Sequence, residues 1–149
     1  MRIQRITAVL LLLILAVSSP VVADTSQVEQ LLAVAIEQLG TPYELFSNAP
    51  ESFNCLTFVT YCFNQVADGT FSGESIECDY EKLTSIKELK PGDIVCFKSS
   101  SRLKGILGYH FGIYVGRGYF IHASNSVGMV TVDKLSKYRK RFLGAVRTF

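Results

Sequence analysis

One cysteine and two histidines are the side chains best suited to nucleophilic chemistry in this sequence. Cys55 stands at the predicted start of a helix, where free backbone N–H groups and the helix dipole favour an anion, so we expect a lowered thiol pKa. His110 and His122, the only two histidines, each adjoin a predicted strand, and Arg117-Gly118 between them predicts a hairpin turn. Opposed side chains on paired strands lie about 5 Å apart, so the two imidazoles can meet on one face. The pattern fits a thiol nucleophile, a base and a third group that orients the base.

The other three cysteines are not expected to take part in this chemistry. Cys62 lies about 10 Å further along the same helix as Cys55, too far for a disulfide between them. Cys62 and Cys96 lie in apolar runs typical of a core, whereas Cys78 lies in a polar segment. One disulfide among these three stays an open alternative. No close cysteine and histidine spacing predicts a metal site, and no cofactor is expected.

Two helices are predicted in the first half of the domain. Ser26 and Glu29 form a capping box, apolar residues follow at helical spacing to Leu39, and Gly40 ends this helix. Asn54 can cap a second helix that runs from Cys55 to about Val66. The interior of the second helix is almost wholly apolar, which predicts burial on several sides.

The second half of the domain is predicted to be a sheet. The segment from Asp68 to Glu88 is rich in turn residues and shows no strong strand, and Lys90-Pro91-Gly92-Asp93 predicts a turn. Five short strands are predicted after it, at Ile94–Phe97, Phe111–Val115, Tyr119–His122, Met129–Val132 and Leu143–Arg147. Helices followed by a mostly antiparallel sheet define an α+β domain.

Residues 1–23 have the features of a cleavable secretory signal. Arg2 and Arg5 precede an apolar run from Ala8 to Val17. A membrane-spanning helix needs about 20 apolar residues, so this run is too short. Small residues before Asp24 fit a cleavage site. We therefore expect an exported protein, periplasmic or extracellular, with one domain at 24–149 and no stable membrane insertion after cleavage.

Composition narrows the classes of protein further. The chain has 149 residues, of which 48% are hydrophobic and 19% charged, with a formal net charge of +2. The apolar content excludes a disordered chain, and the charge excludes a strongly basic nucleic-acid binder. After residues 1–23 the charge is zero, and every basic residue lies at or beyond Lys82. We expect the acidic first half and the basic second half to attract each other within a monomer.

Six stretches, taken in order along the chain, match one known family: Gly40-Thr41-Pro42-Tyr43, Phe53-Asn54-Cys55, Leu89–Val95, His110–Gly116, Phe120–Ser124 and Arg141–Ala145. In these stretches the sequence resembles the NlpC/P60 cysteine peptidases. The resemblance implies a papain-like fold and hydrolysis of amide bonds in peptidoglycan stem peptides, so that peptidoglycan or muropeptides are the partners. It assigns Cys55 as nucleophile, His110 as base and His122 as the orienting group. Tyr43 and Asn54 are then expected beside the substrate.

Departures from the family pattern leave alternatives open. The family usually carries Asp-Cys-Ser-Gly where Asn54-Cys55-Leu56-Thr57 stands, and Trp-Gly-Gly where Glu44-Leu45-Phe46 stands, so the bond cleaved stays open. Asn54–Val59 also resembles the cysteine motif of lecithin:retinol acyltransferase-like proteins, in which the histidine motif comes first. One alternative is therefore an acyltransferase or lipid-ester hydrolase with the same Cys/His pair. The other is a non-catalytic cell-wall-binding module, against which the intact cysteine and histidines argue.

Overall fold

The computed structural model describes residues 26–67, 81–100 and 108–149. The predicted signal at 1–23, Cys78 and most of the turn-rich segment lie outside these ranges. Within the described ranges, no helix is long and apolar enough to cross a membrane.

Both predicted helices are confirmed. The first, α1, spans Gln27–Glu37, and the second, α2, spans Cys55–Asn64. Each begins with a complete capping box, formed by Ser26 with Glu29 and by Asn54 with Thr57. These caps satisfy backbone N–H groups that have no partner inside the helix, which fixes where each helix starts.

Six strands form one sheet. They are β1 (Glu81–Leu83), β2 (Ile94–Lys98), β3 (Tyr109–Gly116), β4 (Tyr119–Ser124), β5 (Met129–Lys134) and β6 (Phe142–Arg147). Their order across the sheet is β1-β6-β2-β3-β4-β5, and neighbouring strands in this sheet run antiparallel. Two 3-10 helices complete the described elements, at Ile86–Glu88 and Leu135–Arg141. The expected α+β class is confirmed.

The turn between β3 and β4 is the predicted hairpin. Arg117 and Gly118 both have positive φ, +54° and +79°, as a tight turn matched to strand twist requires. Within the hairpin the two strands approach closely at Gly112. A Cβ atom on this residue would lie 2.8 Å from the carbonyl oxygen of Ile121 and 2.6 Å from the ring of Phe120. The absence of a side chain at Gly112 therefore permits this strand spacing.

One prediction about the sheet is wrong. The segment from Asp68 to Glu88 is predicted to contain no strong strand, yet Glu81–Leu83 forms β1, paired with β6 through Ala145, Val146 and Arg147. This short segment lacks β-branched and aromatic residues, so its local pattern carries no strand signal. It is a strand because β6 offers it an edge with free backbone N–H and C=O groups.

The sheet buries both of its faces. On one face the two helices cover a cluster that includes Phe58, Val59, Ile113 and Ile121. On the other, the 3-10 helix at 135–141 covers a smaller cluster built on Val95, Phe97, Phe120 and Leu135. Alternate residues of β4 thus enter different cores, and His122 falls on the same face as Phe120.

Candidate active site

The start of α2 is fixed by Asn54 and carries Cys55. Asn54 Oδ1 accepts hydrogen bonds from the backbone N–H groups of Leu56 (3.0 Å) and Thr57 (2.9 Å). Its Nδ2 donates to the carbonyl oxygen of Leu45 at 3.0 Å. The polar atoms of the Asn54 side chain are therefore committed to capping the helix and holding the preceding loop. Contact between Asn54 and substrate stays a prediction.

Cys55 is 3% exposed and lies against the backbone of β3. Its thiol donates to the carbonyl oxygen of Tyr109, with 4.0 Å between the two atoms, and Sγ accepts from the N–H of Phe111. These two residues flank His110 in the strand. The structure thus places the predicted nucleophile at backbone atoms on either side of the predicted base.

The expectation of a lowered thiol pKa is wrong. Burial raises the pKa of Cys55 above its ordinary value, although hydrogen bonds from the N–H groups of Phe111, Cys55 and Leu56 oppose the rise. Loss of solvation for a thiolate at this depth outweighs the helix start. The resting group is therefore a thiol at neutral pH.

The other described cysteines also have raised pKa values; Cys62 lies in the core and Cys96 is half-buried against it. Burial raises the pKa of Cys62 to about 12 and, together with the charge of Cys55, the pKa of Cys96 to about 11. Cys55, Cys62 and Cys96 are all free thiols. Cys78, the third member of the possible disulfide set, lies outside the described residues.

Tyr43 is held near Cys55 by backbone contacts. Its N–H donates to the carbonyl oxygen of Gly128 at 2.8 Å, and it forms a β-bridge with Phe53, two residues before the cysteine. Burial, and then the charge of a Cys55 thiolate, raise the pKa of the Tyr43 hydroxyl. The structure therefore brings Tyr43 and Cys55 into one electrostatic environment.

His110 and His122 are in direct contact. His110 Nε2 lies 2.8 Å from His122 Nδ1, and the two rings are perpendicular. The hairpin places them on one face of the sheet, where Phe120 stacks on His122 and Tyr138 stacks on His110. His122 is only 1% exposed, so its orientation is fixed by packing as well as by hydrogen bonds.

Both imidazoles are neutral at rest. Burial, followed by the charges of His122 and Arg141, lowers the pKa of His110 to about 3. Burial also lowers the pKa of His122 to about 4, against the opposing hydrogen bond and charge of Asp133. A neutral imidazole has an unprotonated nitrogen and is equipped to act as a general base.

Asp133 is a site residue that the sequence analysis missed. Its Oδ2 lies 3.3 Å from His122 Nε2, so it occupies the far side of the histidine pair. In the register of β4 with β5, Asp133 opposes Phe120 and Thr131 opposes His122. Asp133 is thus the diagonal neighbour of His122 on the same face. The strand register identifies Asp133, and the sequence alone does not give this register.

Two further side chains hold the Asp133 carboxylate. Lys137 Nζ donates to Oδ1 at 2.6 Å, and the Tyr138 hydroxyl donates to Oδ2 at 3.0 Å. Burial would raise the pKa of Asp133, but hydrogen bonds from Lys137, Tyr138 and His122 together lower it. The carboxylate is therefore ionised at neutral pH. Within the described ranges, no group of three or more residues has the composition and spacing of a metal site.

Comparison with known proteins places this geometry in a family. The model of the NlpC/P60 family matches residues 40–147, which include the cysteine, both histidines and Asp133. The chain belongs to the NlpC/P60 family. Among solved structures, the NlpC/p60 domain of the peptidoglycan hydrolase SagA superimposes with a TM-score of 0.66 and 26% identity, over 81% of this chain and 98% of that domain.

Two curated relatives are much longer proteins than this chain. The chain is 36% identical over 137 residues to the gamma-DL-glutamyl hydrolase of Bacillus subtilis, covering 89% of this chain and 31% of that protein. It is 35% identical over 115 residues to the probable endopeptidase p60 of Listeria grayi, covering 76% of this chain and 21% of that protein. The chain therefore spans less than a third of the length of these two relatives.

Proposed function

We propose that the domain at 24–149 is an exported cysteine endopeptidase that hydrolyses amide bonds in peptidoglycan stem peptides. The observation that carries this proposal is the 2.8 Å contact between His110 and His122, beside a buried thiol at the start of α2. The name of the peptidoglycan hydrolase SagA supports a cell-wall substrate. The names of the endopeptidase and the gamma-DL-glutamyl hydrolase support cleavage of amide bonds.

The first chemical step is acylation of Cys55. His110 removes the thiol proton as Sγ attacks the carbonyl carbon of the scissile amide, forming a tetrahedral oxyanion. The backbone N–H of Cys55, in the first turn of α2, is the group we assign to stabilise this charge, because Asn54 occupies the next two N–H groups. Collapse breaks the C–N bond, and the protonated His110 gives its proton to the leaving amine.

The second step releases the enzyme. A water molecule gives a proton to His110 and adds to the thioester carbonyl, and the C–S bond then breaks to yield a free carboxylic acid. The proton held by His110 returns to Cys55 Sγ, which restores the neutral pair. His122 orients His110 and stabilises its charged form throughout, and no metal or cofactor takes part in the proposal.

The bond that we propose follows γ-D-glutamate in the stem peptide. The glutamyl hydrolase among the relatives supports this choice. Tyr43 is the residue that we place beside the substrate, since Gly128 and Phe53 fix its backbone and Cys55 influences the pKa of its hydroxyl.

Mass spectrometry of purified peptidoglycan incubated with the exported protein tests the proposal. We expect new amine and carboxyl ends within the stem peptide, and background levels with Cys55→Ala or His110→Ala. His122→Asn should retain part of the activity, and His122→Ala should lose more, because asparagine keeps a hydrogen-bonding side chain. Lys140→Met, an exposed change on the 3-10 helix, is the matched control.

Two other results would contradict the proposal. Turnover of a lipid ester without turnover of any stem peptide would favour the acyltransferase alternative. Binding of peptidoglycan with no turnover, and unchanged binding in Cys55→Ala, would favour a wall-binding module. The export proposal is checked separately, by N-terminal sequencing of the secreted product: we expect a start near Asp24, and a start at Met1 would contradict a cleaved signal.

A further inference from the structure

Among the described groups that contact the histidine pair, the Asp133 carboxylate can only accept a hydrogen bond. It is ionised, and its two oxygens accept hydrogen bonds from Lys137 and Tyr138. A carboxylate without a proton offers no donor. The contact of 3.3 Å with His122 Nε2 is therefore a hydrogen bond only if that nitrogen carries the hydrogen.

This requirement passes from one ring to the next. A neutral imidazole has one protonated nitrogen, so a hydrogen on His122 Nε2 leaves His122 Nδ1 bare and able only to accept. The nitrogen that faces it at 2.8 Å, His110 Nε2, must then be the donor. His110 Nδ1 is left unprotonated, and it is the one ring nitrogen of the pair with no partner in this relay.

We propose that Asp133 is a positioning residue that sets the tautomers of both histidines, so that His110 presents an unprotonated Nδ1 as the base. For catalysis this proposal rests on the proposed function, since it supplies the base that Cys55 requires. A base needs a bare nitrogen before the reaction starts, and a ring locked as Nδ1–H would offer the thiol a second donor instead of an acceptor.

The groups around Asp133 hold its carboxylate in position to face His122. On the side of the following 3-10 helix, Lys137 and Tyr138 bind the carboxylate, and the Arg141 guanidinium lies 4.6 Å from the centroid of the Tyr138 ring. On the sheet side it faces His122, behind which lies His110. Lys137 holds Oδ1, which leaves Oδ2 for His122 and Tyr138.

Asp133→Asn is the variant that tests the polarity of the relay. The Lys137 ammonium only donates, so the amide oxygen stays at the position of Oδ1. The NH₂ group takes the place of Oδ2, where it faces His122 Nε2 and the Tyr138 hydroxyl, both of which can accept. Both tautomers are then reversed, and His110 Nδ1 becomes protonated. Reversal of a histidine tautomer costs up to about 10⁴-fold in kcat in a comparable catalytic relay, and we expect a loss of at least about 10²-fold here, in kcat more than in KM.

Comparison with Asp133→Ala separates polarity from packing. Alanine removes the acceptor but leaves His122 free to adopt either tautomer, so we expect Asp133→Ala to be more active than Asp133→Asn. A purely structural role predicts the opposite order, because asparagine matches the shape of aspartate. Adding Lys137→Met to Asp133→Asn frees the amide to turn, so part of the activity should return, whereas adding Lys140→Met should restore none.

Nitrogen-15 NMR of the two histidines provides a readout that does not depend on substrate. The chain has only two histidines, so the spectrum is readily assigned with His110→Gln and His122→Gln. We expect Nε2–H on both rings in the unaltered protein and Nδ1–H on both in Asp133→Asn. The same tautomers in both proteins, or Asp133→Ala less active than Asp133→Asn, would overturn the proposal. Correct tautomers without peptidase activity would instead count against the proposed function alone.

Discussion

At the scale of single residues, burial decides the chemistry of the thiol and imidazoles. The pKa of Cys55 is raised and those of His110 and His122 are lowered, to about 3 and about 4, mainly because a charged form would lose its solvation. The resting site is thus a neutral thiol and a neutral base, and charge develops only when substrate is attacked. The position at a helix start predicted a lowered pKa for Cys55. The sequence gives the position of a cysteine in a helix but not how deeply it is buried.

The first prediction concerns alkylation of Cys55 by iodoacetamide. Since only the thiolate reacts and burial raises the pKa of Cys55 above its ordinary value, the rate should rise with pH through the neutral range and into the alkaline range. Cys55 should still react faster than Cys62 and Cys96, because burial raises their pKa values to about 12 and about 11. Peptide mass spectrometry at several pH values measures each rate. An alkylation rate of Cys55 at pH 5 equal to that at alkaline pH would show a preformed thiolate and contradict a neutral resting thiol.

Acid stability provides a second prediction at the same scale. The pKa of each histidine is lower in the folded protein than its ordinary value of 6.5, so the unfolded chain binds protons first as pH falls. The free energy of unfolding therefore decreases as the pH falls from 6.5 towards 4, by about 1.4 kcal/mol per pH unit for each histidine. His110→Gln should reduce the slope of the unfolding free energy against pH by the contribution of about one proton. Urea unfolding at several pH values measures this slope, and Lys140→Gln should leave it unchanged. An unchanged slope would contradict burial of a neutral His110.

At the scale of elements, the capped helix and the hairpin position the site. Asn54 fixes the first turn of α2, and the turn at Arg117-Gly118 sets the two histidines side by side. These features could be predicted because capping residues, turn residues and alternating apolar residues act locally. Asp133 and β1 could not, since both depend on which strands pair and in what register.

Changes at Asn54 test the role of the cap. Asn54→Ala should lower stability by about 1 kcal/mol, since two backbone N–H groups lose their acceptor. Asn54→Asp keeps that acceptor and should retain most of the stability, although its bond to the Leu45 carbonyl is lost. Its negative charge should also move the alkylation of Cys55 to higher pH. Thermal unfolding and alkylation measure the two effects, and equal stability of Asn54→Ala and the unaltered protein would contradict the assigned role.

At the scale of the whole molecule, a buried ion pair fastens the last strand to the middle of the chain. Arg147 in β6 donates to both oxygens of Asp93, at 3.0 and 2.8 Å, and to the carbonyl oxygen of Glu88. Asp93 is 2% exposed and also accepts from the N–H of Lys90 in the turn before β2. The pair therefore joins the turn, β2 and β6 at one point.

Loss of Arg147 should be costly because it leaves a buried carboxylate without its partner. We expect Arg147→Met to lower the free energy of unfolding by about 3–5 kcal/mol, and the double variant with Asp93→Asn to lose less. Arg139→Met, an exposed change, is the control. Urea unfolding measures all of these values. A loss under about 1 kcal/mol for Arg147→Met would contradict the importance of the pair.

The position of β6 between β1 and β2 has a consequence for biosynthesis. A chain that emerges from the ribosome in sequence order can assemble the hairpins of β2 to β5 early, because these strands are neighbours in both sequence and space. Until residues 142–147 emerge, however, β2 has an open edge and β1 has no partner in the sheet. Until β6 is made, the nascent protein thus exposes a strand edge that can pair with another strand. Holding chaperones act on surfaces of this kind.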